Sequence, residues 1–172
     1  MNRLAAYLRP HRHLALAVAF TSTAMLAAAF IAQYGFGLLP CELCLLQRWP
    51  YALNILLGAA AFIATFRHPR LAALLIALAA ASFFADAAIA GYHVGVERHW
   101  WAGPSSCTGS FLSPDMSVAQ LQKFLTHRNI VPCDKIGWTL FGVTMAGYNC
   151  AAAFALGVFT VYLLKKDHAA QA

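Results

Sequence analysis

Charged residues are scarce in this chain. Of its 172 residues only 10% are Asp, Glu, Lys or Arg, whereas 61% are hydrophobic. A soluble domain carries about 25% charged residues, so the chain lacks the polar surface that such a domain needs. It also lacks a Lys/Arg-rich block of the kind that binds nucleic acid. We therefore expect a bilayer as the solvent, and one domain over residues 1–172.

Four stretches have the length and apolar character of membrane-spanning helices, which need about 20 residues. Their predicted bounds are about 14–34, 49–66, 71–93 and 138–164. Backbone groups in lipid must be hydrogen-bonded within the protein, so these stretches are predicted to be helices. The predicted fold class is an all-α membrane protein, a bundle of four transmembrane helices.

The first apolar stretch has a second interpretation. Arg3, Arg9 and Arg12 precede it and the alanines at 27–29 look like a cleavage site, which is also the pattern of a secretory signal peptide. The apolar run over 14–31 is longer than the core of a usual signal peptide. We therefore expect an uncleaved membrane anchor.

Basic residues predict the orientation, because cytoplasmic loops carry an excess of Lys and Arg. With four spans, both termini and the turn at 67–70 lie on one side. That side holds Arg3, Arg9, Arg12, Arg67, Arg70, Lys165 and Lys166. On the other side, acidic residues offset the basic ones. Both termini are thus predicted to be cytoplasmic, with a short outer loop at about 35–48 and a long one at about 94–137.

Four of the five cysteines fall in the two outer loops. Cys41 and Cys44 form a C-x-x-C motif in the short loop, and Cys107 and Cys133 lie in the long loop. Cys150 lies inside the last span, where a small buried packing residue is the expected role.

A C-x-x-C motif alone is compatible with haem attachment, half a zinc site, a structural disulfide or a redox pair. Haem attachment requires a histidine where Leu45 stands. A zinc site needs a second ligand pair, and no histidine lies close to either cysteine pair in the sequence. The redox pair is the favoured interpretation, and the others stay open.

Arg48 favours the redox interpretation. Cys44 lies near the start of the second predicted span, where a helix N-terminus stabilises negative charge, and Arg48 follows one turn later. Both features lower the pKa of a thiol and so favour its reactive thiolate form. The alternative role of Arg48 is an anchor whose side chain extends to the membrane interface.

The long loop is rich in Gly and Pro, which break regular structure. Between its cysteines an apolar stripe at helical spacing predicts a short amphipathic helix, either packed on the protein or lying on the membrane. The stripe comprises Val118, Leu121, Phe124 and Leu125. Such a loop is expected to carry Cys107 and Cys133 to a soluble partner and back.

Together these features resemble the disulfide bond formation protein B (DsbB) family. Vitamin-K-epoxide-reductase-like proteins have similar parts, but their C-x-x-C lies in the last span. The resemblance covers nearly the whole chain and rests on Pro40-Cys41-Glu42-Leu43-Cys44 with Gln47-Arg48, on Gly91-Tyr92-His93, on Cys107, on Pro132-Cys133 and on Trp138-Thr139-Leu140-Phe141-Gly142.

The resemblance implies a multi-pass protein of the bacterial inner membrane whose active face is periplasmic. A reduced DsbA-like partner attacks the Cys107/Cys133 disulfide, and the electrons pass to Cys41 and Cys44. They then pass to a quinone, ubiquinone or menaquinone, near Cys44 and Arg48, with no metal involved. Cys44 is expected to face the quinone, and Cys41 to be the more accessible sulfur that exchanges with the loop pair.

Two residues of the third span have open roles. His93 is expected either to hydrogen-bond a quinone oxygen or to be an interfacial histidine. Asp86 lies on the same helical face, and an acid within a span is either a satisfied structural group or part of a proton path. The alternatives for the whole chain are a membrane metal-binding protein and a structural protein with stabilising disulfides.

Overall fold

The protein is predominantly helical. The computed structural model describes the backbone of residues 3–104, 107, 117 and 131–169. The amphipathic helix predicted between Cys107 and Cys133 lies outside the described residues. The described helices are α1 Arg3–Phe30, continued by a π-helical turn Ile31–Gly35, then α2 Glu42–Leu46, α3 Arg48–Ala64, α4 Pro69–Glu97 and α5 Met145–Ala169. Two short strands, β1 Thr139–Leu140 and β2 Val143–Thr144, precede α5.

Within the described ranges, three helical segments are long and apolar enough to cross a membrane. They are His11–Gly35, Pro69–Glu97 and Met145–Asp167, and they correspond to the first, third and fourth predicted spans. The helical membrane character is thus confirmed. The predicted span 49–66 forms α3, whose 17 residues extend about 26 Å at 1.5 Å per residue. The count of four spans stays a prediction.

α4 is the central helix of the bundle. It packs against α3 on one side and α5 on the other, and α1 packs against α3. Alanines line much of its buried surface, including Ala72, Ala79, Ala80 and Ala90. Small side chains let helix backbones approach closely, which is how helices associate where no water drives them together.

The last predicted span begins later than expected. Residues 138–144 were predicted to start the helix, but β1 and β2 pair antiparallel there, Thr139 with Thr144 and Leu140 with Val143. Phe141 and Gly142 both have positive φ, 49° and 76°, which is the backbone of a two-residue hairpin turn. The apolar character of this segment was misleading, because Phe141 at the turn is 92% exposed rather than buried in a helix.

Trp101 holds the start of the long loop against the end of α4. Its indole Nε1 donates a hydrogen bond of 2.9 Å to the carbonyl of Tyr92, and the two rings stack with centroids 5.9 Å apart. The indole lies directly over Gly95, where a Cβ atom would collide with it. The loop that carries Cys107 is therefore anchored at this point.

Candidate functional site

The two predicted cysteine pairs lie together at one end of the bundle. Cys107 and Cys133 form a disulfide with Cα atoms 5.4 Å apart, and the Cys133 N–H donates a 3.0 Å hydrogen bond to the Cys107 carbonyl. Both residues are only 1% exposed and pack in one apolar cluster with Cys41, Leu43 and Val96. The loop disulfide is thus seated on the C-x-x-C motif.

Cys41 and Cys44 belong to a separate short helix rather than to the start of α3. α2 begins at Glu42 after Pro40, and Cys41 is its N-cap: the Cys41 sulfur accepts a 3.3 Å hydrogen bond from the Cys44 N–H. Both cysteines are free, and their sulfurs lie 3.1 Å apart. This cap brings the two sulfurs of the motif into contact.

The Cys41 sulfur lies close both to Cys44 and to the loop disulfide. It is within 4.8 Å of both loop sulfurs, and also within 4.8 Å of Cys44. Cys41 is 4% exposed, whereas Cys44 is partly exposed, so the expectation that Cys41 is the more accessible sulfur is wrong. Disulfide exchange requires direct contact between sulfurs. Buried beside the loop pair, the Cys41 sulfur needs only a small approach to meet that requirement.

The two thiols of the motif are electrostatically different. A hydrogen bond donated by the Cys41 S–H lowers the pKa of Cys44, with further help from the backbone around Cys41 and from the Arg48 charge, while burial and Glu97 oppose it. The same hydrogen bond, together with burial and the charge on Cys44, raises the pKa of Cys41. These opposite directions favour a proton on Cys41 and a negative charge on Cys44 in the reduced pair.

Arg48 is the first residue of α3 and lies against the end of α1. Its guanidinium carbon is 5.0 Å from the centroid of the Phe30 ring. Among the residues that the structure describes, no partner hydrogen-bonds its buried Nε or the buried Oε1 of Gln33 in the neighbouring π-helical turn. Unsatisfied buried polar atoms are unfavourable, so this region has a donor and an acceptor available for a polar ligand group.

His93, near the end of α4, lies beneath Cys41. Its Nε2 is 3.5 Å from the Cys41 sulfur and 3.9 Å from Oε1 of Glu97. Its Nδ1 is 3.1 Å from Nε2 of Gln47. His93 is 3% exposed, and both ring nitrogens face protein atoms in this arrangement.

Sequence reasoning missed Asn149, which connects three elements. Its Nδ2 donates to Oε1 of Gln47 at 2.8 Å and to Oδ2 of Asp86 at 3.1 Å. Its Oδ1 accepts a 2.6 Å hydrogen bond from the Tyr51 hydroxyl. The signal available in the sequence was a polar side chain within an apolar span, a feature that marks functional or structural networks in membranes. Oδ2 of Asp86 has this partner, whereas its Oδ1 is buried with no hydrogen-bond partner among the described residues, so both interpretations of Asp86 stay predictions.

In the described part of the chain, folding also assembles two groups of atoms of the kind that bind metals. Cys41, Cys44 and His93 form one, and Cys41, Cys107 and Cys133 form the other. The sequence has no histidine close to either cysteine pair, but the fold brings His93 there. The second group contains the sulfurs of a disulfide, which are not available as thiolate ligands in this redox state.

Comparisons with known proteins agree on one family. A family model described as disulfide bond formation protein DsbB matches residues 11–163. An uncharacterized protein of Rickettsia prowazekii is 26% identical over 167 residues, which cover 95% of each chain. A disulfide bond formation protein B of Methylobacillus flagellatus is 28% identical over 83% of this chain and 86% of its own.

A disulfide bond formation protein B of Herminiimonas arsenicoxydans is 35% identical over 88 residues, 51% of this chain and 54% of its own. No solved structure matches the chain significantly. The family model covers most of the sequence, including all four cysteines of the site. This chain therefore belongs to the DsbB family, helical membrane oxidoreductases of disulfide bond formation.

Proposed function

We propose that this protein is a membrane thiol oxidase that reoxidises a periplasmic DsbA-like dithiol protein and passes the electrons to a membrane quinone. The observation that supports this best is the position of the Cys41 sulfur, within 4.8 Å of Cys44 and of both loop sulfurs. An electron path through two cysteine pairs needs one sulfur that contacts both. Cys41, Cys44, Cys107 and Cys133 are the proposed catalytic residues.

In the first step the donor protein reduces the loop disulfide. A donor thiolate attacks one sulfur of Cys107/Cys133, the S–S bond breaks, and a mixed disulfide forms. The second donor thiol then displaces the loop sulfur, so the donor leaves as a disulfide and the loop pair gains two electrons and two protons. Since both loop cysteines are 1% exposed, the loop pair must leave its seat on Cys41 for this attack.

In the second step the electrons pass to the C-x-x-C motif. A loop thiolate attacks the Cys41 sulfur of an oxidised Cys41/Cys44 disulfide, and Cys44 leaves as a thiolate. The second loop thiol then displaces Cys41, which takes a proton. The result is a loop disulfide with free Cys41 and Cys44, which is the redox arrangement of the described structure.

The Cys44 thiolate is the proposed electron exit. A quinone, ubiquinone or menaquinone, is an acceptor for two electrons and two protons that dissolves in the membrane. Arg48 would stabilise negative charge on its oxygens, since the Arg48 Nε beside the Phe30 ring is a buried donor without a partner in the described part of the chain. Oε1 of Gln33, three residues after Phe30, is a buried acceptor without a described partner. The donor and acceptor chemistry of this region thus fits a quinone ring.

His93 is proposed to act at the same site. Its nitrogens face Cys41 and Gln47 in this redox arrangement, so contact with a quinone oxygen would require one of these partners to be given up. Arg48 is therefore the more direct candidate for binding the quinone, whereas His93 acts mainly on the Cys41 sulfur.

We further propose that α3 completes a four-span bundle in the bacterial inner membrane, with both termini cytoplasmic and the cysteines periplasmic. α3 lies between α1 and α4 in the bundle, and its turn into α4 carries Arg67 and Arg70. Basic residues in a short loop favour the cytoplasmic side.

The function is tested with purified protein in lipid nanodiscs that contain ubiquinone or menaquinone. A reduced DsbA-like dithiol protein is the donor, and quinone absorbance is the readout. We expect turnover by the wild type and background rates for Cys44→Ser, because its sulfur takes part in covalent steps. Cys107→Ser is expected to lose turnover with the protein donor but to keep it with a small dithiol that reduces Cys41/Cys44 directly.

The matched control is Cys150→Ser. Cys150 is the remaining cysteine, and its S–H donates to the Ala87 carbonyl in the helix packing, so turnover should be unchanged. Full activity of Cys44→Ser would contradict the mechanism. Stoichiometric zinc in the reduced protein, together with no quinone reduction, would instead support the metal-binding alternative.

A further inference from the structure

We propose that Asp86, Asn149 and Gln47 are positioning residues that fix the tautomer of His93, so that its Nε2 carries the proton and donates to the Cys41 sulfur. The inference deepens the site described above, and its consequence for electron transfer rests on the proposed function. It follows from the direction in which each hydrogen bond in the network must run.

The direction is set at Asn149. Its Nδ2 has two hydrogens and faces two oxygens, Oδ2 of Asp86 and Oε1 of Gln47, at 3.1 and 2.8 Å. Its Oδ1 faces the Tyr51 hydroxyl, which donates at 2.6 Å. The opposite orientation of the amide would place Oδ1 against the Asp86 carboxylate. An ionised carboxylate only accepts hydrogen bonds, so Asp86 in its ionised form excludes that orientation.

The orientation of the Asn149 amide in turn fixes the orientation of the Gln47 amide. Because its Oε1 accepts from Asn149, the other end of its amide, Nε2, is directed at His93. An amide nitrogen only donates hydrogen bonds. The contact of 3.1 Å with Nδ1 of His93 is favourable only if Nδ1 carries no proton.

A neutral histidine with an unprotonated Nδ1 carries its proton on Nε2. That nitrogen faces the Cys41 sulfur at 3.5 Å and Oε1 of Glu97 at 3.9 Å, and both are acceptors. The backbone of Cys133 is a further hydrogen-bond acceptor for the His93 ring. Asp86, Gln47 and His93 are 0%, 6% and 3% exposed, so water has little access to reverse the direction. His93 is thus a donor to Cys41 and not a base for its thiol.

The tautomer of His93 affects which cysteine of the C-x-x-C motif carries the thiolate. The Cys41 sulfur accepts from His93, and its own S–H is free to donate to Cys44 at 3.1 Å. With the other tautomer, Nε2 of His93 would compete with Cys44 for that S–H. The network therefore keeps the thiolate on Cys44, the sulfur proposed to face the acceptor.

The tautomer is measured by ¹⁵N NMR of histidine-labelled protein in nanodiscs, without donor or quinone and with a tag that contains no histidine. The chain has 7 histidines, so the His93 signals are those missing in His93→Gln. In the wild type we expect Nδ1 at the unprotonated shift and Nε2 at the proton-bearing shift. In the near-isosteric Gln47→Glu, a carboxylate faces Nδ1, and we expect Nδ1 to move to the proton-bearing shift.

Asn149→Leu removes the anchor, so either end of the Gln47 amide can face His93, and the Nδ1 signal should move towards the proton-bearing shift. Ser82→Ala is the control. Ser82 is a buried polar residue of α4, the helix that also carries Asp86 and His93, but its hydroxyl donates a hydrogen bond to the Pro50 carbonyl and lies outside the network. It should give the wild-type spectrum. A protonated Nδ1 in the wild type, or wild-type shifts in both Gln47→Glu and Asn149→Leu, would overturn the inference. Quinone reduction plays no part in this readout, so failure of the proposed function would be recognised separately.

Discussion

At the scale of single residues, the site depends on an asymmetry between two chemically identical side chains. Cys41 is buried under the loop disulfide and holds its proton, whereas Cys44 is partly exposed and carries the charge. The largest cause is the hydrogen bond between the two sulfurs, and Arg48 makes a smaller contribution. The basic residue singled out by the sequence is therefore not the main reason that Cys44 is a thiolate.

This ranking predicts how the reactivity of Cys44 depends on pH. A lowered pKa means that the thiolate, the form that is alkylated, persists below the usual thiol range around pH 8.5. Cys41→Ala removes the S–H donor, so the pKa of Cys44 should rise and its alkylation curve should move to higher pH. A shift of about one unit slows alkylation about tenfold at a pH below both midpoints. The measurement is iodoacetamide labelling of reduced protein across pH 5 to 9.

Two further variants make the test directional. Arg48→Gln should move the curve in the same direction by less, and Glu97→Gln should move it to lower pH because the Glu97 charge opposes the Cys44 thiolate. Glu42→Gln, an exposed acid in the same helical turn, serves as the control. A larger effect of Arg48→Gln than of Cys41→Ala would show that the ranking is wrong.

At the scale of elements, the end of α4 organises the site. It presents His93 and Glu97 to the cysteines. Four residues after Glu97 the chain has turned back, so that Trp101 covers Gly95. The hairpin β1–β2 joins the same end through Arg98, whose guanidinium donates to the Gly142 carbonyl at 3.0 Å. One helix terminus thus positions His93, a loop and a hairpin.

Gly95→Ala tests the anchoring of the loop. Its added Cβ would collide with the Trp101 indole, and overpacking of this kind typically costs about 1–3 kcal/mol. We expect a lower thermal midpoint, altered tryptophan fluorescence and faster reduction of the Cys107/Cys133 disulfide by a small thiol. Gly91→Ala, one turn earlier, is the matched control, because its Cβ would lie 3.6 Å from the Cys150 sulfur, an ordinary contact. Equal effects of the two substitutions would argue against a special role of the Trp101 contact.

At the scale of the whole molecule, the bundle places thiol chemistry next to the membrane. The three described segments that can cross a bilayer enclose a polar network, formed by Gln47, Tyr51, Asp86, His93 and Asn149, at the end where the cysteines lie. Polar groups in an apolar bundle are favourable only when they satisfy one another. The cysteine site is therefore built on the polar end of an otherwise apolar molecule.

The four-span topology predicts which surface positions face the cytoplasm. In a background without native cysteines, single cysteines replace His68, Lys135 or Lys166, all exposed. A membrane-impermeant maleimide added to intact spheroplasts should label the cysteine at 135, and should label those at 68 and 166 only after lysis. Labelling at 68 before lysis would mean that α3 does not cross the membrane.

The sequence by itself determined the membrane character, the presence of three long apolar helices and the four cysteines that lie together at one end of the bundle. Composition and cysteine spacing are local properties, and lipid requires helices wherever such apolar runs occur. The hairpin before α5 was missed because its apolar residues match the pattern of a span.

Only the tertiary structure decided which sulfur contacts both pairs and what lies beneath it. Cys41 and His93 are 52 residues apart, and Gln47 and Asn149 are 102 apart, so no local pattern relates them. Their hydrogen bonds run in one direction only because α4, α5 and the turn at Gln47 bring donors opposite acceptors. The sequence indicated the cysteines and His93, and the packing of three separate segments adds Asn149 and assigns the proton.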